Sequence, residues 1–120
     1  MEAAALDAVL AAILPSTSGP GAIEAGAGAY VRRRLAGPDR AWSEPLRRWL
    51  PAPEDADGAV AALAVAPDGP DAALFEQLRL WAWSGYLCDP ALGGNVAGVG
   101  WARFDWSPPA GRVAASEPAS

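Results

Sequence analysis

Residues 71–87 read DAALFEQLRLWAWSGYL, a run with apolar side chains around most of a helical circumference. Leu74, Phe75, Leu78, Trp81, Ala82 and Tyr86 fall on one stripe at helical spacing, and Leu80, Trp83 and Leu87 add a second face. A helix apolar over so much of its girth is buried on more than one side. It is therefore either central to a bundle or in contact with another protein. The run continues through Cys88-Asp89-Pro90 into a glycine-rich stretch, Gly93-Gly94-Asn95-Val96-Ala97-Gly98-Val99-Gly100, which closes on Trp101. Ordering so many glycines is costly in backbone entropy. The large aromatics at either end, Trp83, Trp101, Phe104 and Trp106, offer the burial that offsets it.

Upstream, the pattern is helical throughout. Leu6, Val9, Leu10, Ile13 and Leu14 form one helix face, ended by Pro15. A second helix is expected over Ala22–Leu35, with Ile23, Ala27, Tyr30, Val31 and Leu35 on one face. Gly26 and Gly28 lie within it, at a cost of about 1 kcal/mol each that close approach of another backbone would explain. Arg32-Arg33-Arg34 read as a solvated helix end that complements the carbonyl dipole, in preference to an anion site. Ser43 is expected to cap a short third helix through Leu50, with an i,i+4 pair between Glu44 and Arg48. Ala59–Val65 reads as a helix, although its pattern also admits a strand. Pro67-Asp68-Gly69-Pro70 marks a turn before the long helix. With no strand alternation elsewhere, the fold expected is all-α: a small, irregular bundle of about five helices with a long, structured Gly/Trp-rich C-terminal loop. Residues 1–106 form the domain and residues 107–120 a flexible tail.

Composition narrows the chemistry. The chain has 120 residues, a net charge of −5 and no histidine. Its acidic balance argues against a nucleic-acid partner, and no stretch approaches a membrane span. Without His there is no common general base and no common transition-metal ligand. Cys88, the single cysteine, excludes an internal disulfide and reads as a buried, inert thiol closing an apolar helix. The glycines at 93, 94, 98 and 100 do not match the dinucleotide or P-loop spacings, and the chain has no Lys. Asp89 and Asn95 fall short of the six to eight oxygen ligands that calcium takes. Catalytic, cofactor-binding and metal residues are therefore not assigned. What remains is an ordered loop of Asp89, Gly93, Gly94, Asn95, Gly98, Gly100 and Trp101. Trp83, Phe104 and Trp106 are neighbouring contact residues suited to an interface. Asn95 tolerates left-handed backbone and bonds readily to nearby peptide groups.

Gly85-Tyr86-Leu87-Cys88-Asp89-Pro90, then Gly93-Gly94-Asn95, then Gly98-Val99-Gly100-Trp101, resembles the C-terminal signature of the gluconate 2-dehydrogenase subunit 3 family. Ile13-Leu14-Pro15, Gly19-Pro20-Gly21-Ala22 and Glu24-Ala25-Gly26 are similar to that family's opening, so the resemblance spans residues 5–106. Leu92 and Val96 depart from it, since many relatives carry an aromatic before Gly-Gly-Asn and a basic residue after. The resemblance implies a small subunit without its own cofactor. Its partner would be an FAD-dependent large subunit of the glucose-methanol-choline (GMC) type that oxidises a sugar or glycoside, joined in some members by a cytochrome c subunit. The N-terminus has no twin-arginine leader. With Met1 as the native start a cytoplasmic complex is expected; with a leader removed, or exported with its partner, the chain would be periplasmic. Two rival readings stand beside the accessory subunit. In one the loop contributes to a shared substrate site through Asp89 or Asn95; in the other the chain is a free-standing helical binding module.

Overall fold

The computed structural model describes residues 2–17 and 19–107. Among these residues the chain is all-α, with six α-helices and no strand: α1 (Ala3–Ile13), α2 (Ala27–Leu35), α3 (Ser43–Trp49), α4 (Ala56–Ala64), α5 (Gly69–Leu87) and α6 (Val99–Arg103). Four single 3₁₀ turns join them, at Arg40–Trp42, Pro53–Asp55, Pro90–Leu92 and Val96–Gly98. The helix beyond the expected five is α6, a short element inside the stretch read as loop. Apart from Ser107, the expected C-terminal tail lies outside the described residues.

α5 organises the bundle, packing against α1, α2, α4 and α6. Leu74, Leu78, Trp81, Ala82 and Tyr86 line its inner face, and they meet Leu6, Val9 and Leu10 of α1, Val31 of α2, Leu46 of α3 and Val60 and Leu63 of α4 in one core. Burying each of these larger side chains is worth about 1.5–3 kcal/mol. Trp81 is also held by a polar hub. Its indole N–H donates to Asp39 Oδ2 at 2.9 Å, and Arg34 Nε donates to the same oxygen at 2.9 Å. Trp42 meets the Trp81 ring edge-on, with centroids 6.2 Å apart. The hydrogen bond from Arg34, and then that from Trp81, hold the Asp39 carboxyl below the ordinary carboxylate range.

Several local expectations are corrected. α2 starts at Ala27 and not at Ala22, because Gly26 takes the left-handed conformation (φ 72°) and ends the preceding turn. Val96 of the C-terminal loop fills the space where a Gly26 Cβ would sit. Ile23, expected on the inner face of α2, is consequently 53% exposed. Gly28 does answer to a close approach, but the neighbour is the Asp7 carboxylate of α1 and not a backbone. Ser43 is the first residue of α3 and does not cap it. The chain enters through the Arg40–Trp42 turn, so Ser43 Oγ donates back to the Leu35 carbonyl at 3.4 Å. Glu44 pairs with Arg47 at i,i+3, one residue nearer than Arg48. α3 stops at Trp49, one residue short of Leu50. Of residues 59–65, where a strand was an alternative, all but the C-cap Val65 belong to α4, which begins earlier, behind the Pro53–Asp55 turn. α5 likewise gains Gly69 and Pro70 from the expected turn, because the φ of proline suits a first helical turn.

The second apolar face of α5 lies outside the main core, with Phe104 packed against its Trp83. Leu80 is 59% exposed, and Trp83 and Leu87 are each 38% exposed. The helix is buried on one side and presents the other outward.

Candidate functional site

The end of α5 poses a problem common to every helix: its last carbonyls have no partner further along the helix. The glycine-rich stretch solves it. Asn95 N–H donates to the Gly85 carbonyl at 2.7 Å, Asn95 Nδ2 donates to the Cys88 carbonyl at 2.7 Å, and Trp101 Nε1 donates to the Leu87 carbonyl at 2.8 Å. Asn95 Oδ1 accepts the Gly100 N–H at 2.8 Å, and the Asn95 carbonyl accepts the Gly98 N–H at 2.8 Å. The Asn95 side chain is fully buried and its backbone is left-handed (φ 45°), a conformation asparagine accepts more readily than most residues. Two glycines make this docking possible. A Cβ on Gly94 would overlap the backbone of Gly85, and one on Gly100 would overlap the Tyr86 carbonyl. Val96 N–H then donates to the Ala25 carbonyl at 3.0 Å, tying the loop to the approach to α2.

Asp89 opens the loop as a turn former, its Oδ1 accepting the Ala91 N–H at 3.0 Å. Gly93 and Gly98 take the positive φ values, 101° and 72°, at the two reversals. Cys88 is half-buried, and desolvation pushes its thiol above the usual range, so it is a poor nucleophile at neutral pH. On the far side, Arg103 donates to the Pro20 carbonyl at 3.0 Å and to Tyr86 Oη at 3.3 Å, while Tyr86 Oη–H itself donates to Pro20. α6 is thereby fixed to both α5 and the N-terminal turn.

The pinned loop supports an aromatic face. Trp83 and Phe104 lie with ring centroids 6.2 Å apart, and Trp101 and Trp106 meet edge-on at 5.0 Å. Phe104 and Trp106 are 54% and 50% exposed, while Trp101 is half-buried with its indole N–H turned inward. A shallow groove of about 450 Å³, lined by Tyr30, Trp83, Ser84, Leu87 and Cys88, runs along the base of this face. Leu80, Trp83 and Leu87 follow the i, i+3, i+7 spacing of a helix-packing seam.

The residues singled out from sequence thus fall into two groups. Asp89, Gly93, Gly94, Asn95, Gly98, Gly100 and Trp101 build the loop and its junction with α5. Trp83, Phe104 and Trp106 lie on the outer face. Asn95 is withdrawn from the surface, with its side-chain oxygen and nitrogen both bonded inside the chain. Leu80, Leu87 and Tyr30 are additional face residues. The first two were visible as the second stripe of the long helix; Tyr30 was read only as a core position. Among the described residues, no helix is long and apolar enough to cross a membrane, and no three His, Cys, Asp or Glu residues gather where they could hold a metal ion.

A family model described as gluconate 2-dehydrogenase subunit 3 covers residues 1–65, from α1 through α4. No curated protein and no solved structure matches the chain.

Proposed function

Because the chain belongs to the gluconate 2-dehydrogenase subunit 3 family, we propose that it is the non-catalytic small subunit of an FAD-dependent, GMC-type sugar or glycoside dehydrogenase. In this reading the flavin and the oxidation chemistry reside in the large subunit, and this chain binds no cofactor of its own. Some assemblies of this kind would add a cytochrome c subunit as electron acceptor.

The observation that carries the reading is the outward seam of Leu80, Trp83 and Leu87, extended by Phe104 and Trp106. A small bundle that exposes so many large apolar side chains on one side has a surface suited to a partner. Binding through it would stabilise the folded large subunit by mass action. The loop's role is to hold α6 and Trp101 rigidly against α5, so that the face is already formed before the partner arrives. A shared substrate site gains no support, since Asn95 is enclosed and Asp89 serves a turn.

Co-expression with a GMC-type flavoprotein from the same cell tests the proposal. The expected result is a stable complex with flavin absorbance that survives gel filtration, and its loss on Trp83→Glu or Leu80→Glu at unchanged helicity. A monodisperse chain that leaves the flavoprotein's stability and migration untouched would overturn it.

A further inference from the structure

A second surface lies at the other end of α5, roughly 18 Å along the helix from Trp83 at 1.5 Å per residue. Here α3 and the start of α5 line an open cleft of about 410 Å³. Its walls carry opposite charges. Arg48 lines it from the last turn of α3 and Asp71 from the first turn of α5. Trp42 and Trp49 supply indole surfaces, with Pro45 and Pro70 as rigid shoulders. Charge along the chain divides in the same way. Residues 32–48 contain six Arg against Asp39 and Glu44, whereas residues 54–71 contain Glu54, Asp55, Asp57, Asp68 and Asp71 and no base. The cleft sits on the boundary between the two.

Three features leave the cleft open to a ligand. Arg48 and Asp71, both exposed, line the same cleft and form no ion pair with each other or with any other described residue, so both charges are available. The indole N–H groups of Trp42 and Trp49 make no hydrogen bond within the described chain, unlike those of Trp81 and Trp101. Trp42 is also fixed in place, its ring braced edge-on by Trp81, which Asp39 anchors in turn. Each charge complements the dipole of its own helix terminus, but that alone does not require the two to face one aromatic cleft.

We propose that this cleft binds a small zwitterion of the amino-acid class. The carboxylate sits on the guanidinium fork of Arg48. The ammonium lies between Asp71 and the indole faces, where a cation is attracted by both charge and ring quadrupole. The apolar side chain occupies the space between the proline rings. The volume is near the lower end of small-molecule sites, which suits a single amino acid. The site is independent of the aromatic face at the far end of α5, so it stands whether or not that face binds a dehydrogenase.

Titration of the full chain with L-leucine, L-leucinamide and 4-methylpentanoate, followed through the indole N–H resonances, tests it. The resonances of Trp42 and Trp49, assigned with Trp42→Phe and Trp49→Phe, are expected to shift saturably with L-leucine. The amide, which lacks the carboxylate, and the acid, which lacks the ammonium, bind at least about tenfold more weakly, a loss of about 1.4 kcal/mol each. Arg48→Met should abolish the preference for leucine over leucinamide, and Asp71→Asn the preference over 4-methylpentanoate. Both are surface changes, and an unchanged melting temperature verifies that each variant is folded. Equal binding of all three probes, no saturable shift at about 10 mM, or indole shifts produced only by a protein partner would overturn the proposal.

Discussion

Asn95 donates its backbone N–H to the carbonyl of Gly85 across 2.7 Å, so the end of α5 is closed by a residue from the loop that follows it. The same asparagine bonds Cys88 and Gly100 through its side chain. One buried residue therefore satisfies backbone groups on both sides of the chain reversal.

Replacing Asn95 by Ala should destabilise the chain by about 2–4 kcal/mol, since two backbone groups lose their partners and each unsatisfied buried group costs about 1–3 kcal/mol. Asn95→Asp keeps the acceptor for Gly100 but, when ionised, loses the donor to Cys88; it should cost less than Ala at acid pH, where the neutral carboxyl carries an O–H that can donate again. Urea denaturation monitored by circular dichroism provides the comparison. A change below about 0.5 kcal/mol for Ala would show that the loop does not contribute to global stability.

Glycine-to-alanine changes should divide by position. Gly94→Ala and Gly100→Ala press a methyl group into the backbone of Gly85 or Tyr86 and should cost about 1–3 kcal/mol or more. Gly58→Ala, inside α4 with open space where its Cβ would project, should stabilise by about 0.5–1 kcal/mol. Melting temperatures of the three variants under one buffer decide the matter.

At the outer face, stability and binding should separate. Trp83→Ala is expected to weaken a dehydrogenase complex by about 30-fold or more, the effect of an interface anchor worth about 2 kcal/mol. Its effect on the isolated chain should be smaller, because the side chain is already partly in water. Calorimetric titration beside thermal melts reads both. Equal losses in the two measurements would mark Trp83 as a core residue instead.

Asp39 gives a pH signature. Its carboxyl is held below the ordinary value, first by Arg34 and then by Trp81, so the native state favours the ionised form. That contribution is complete above the unfolded pKa, near 4, and is lost as pH falls through the lower folded value. Asp39→Asn should therefore cost about 1–2 kcal/mol at neutral pH, with the gap to the native chain closing below about pH 4. Melting curves at several pH values would show it; a gap that persists to strong acid would assign the loss to packing.

The long helix was legible because Leu74, Leu78, Trp81 and Tyr86 repeat at helical spacing, and tertiary contacts had only to choose which stripe turned inward. The start of α2 was not legible. Gly26 looks like a tolerated helix glycine until Val96, seventy residues later, is seen filling its Cβ position. The cap on α3 failed for a related reason, since the local signal at Ser43 was overridden by a 3₁₀ turn that brought the chain in one residue earlier. The loop residues were recognisable as a group from their glycines and asparagine. That Asn95 faces inward while Phe104 faces outward depends on contacts with α5, which no local pattern encodes. Asp39, a hub of the core, left no motif at all, being one acid after a Gly-Pro pair.

The placement of α5 has a consequence for how the protein comes into being on the ribosome. The inner faces of α1, α2 and α4 are all synthesised before the residues that cover them, Leu74, Leu78, Trp81 and Tyr86. The emerging chain must carry those faces uncovered until α5 has been made. The lock at Asn95 comes later still, because it needs Gly85, Cys88 and Gly100 already in place. Closure therefore waits for the glycine-rich loop, and the segment that completes the core leads directly into the aromatic face of Phe104 and Trp106.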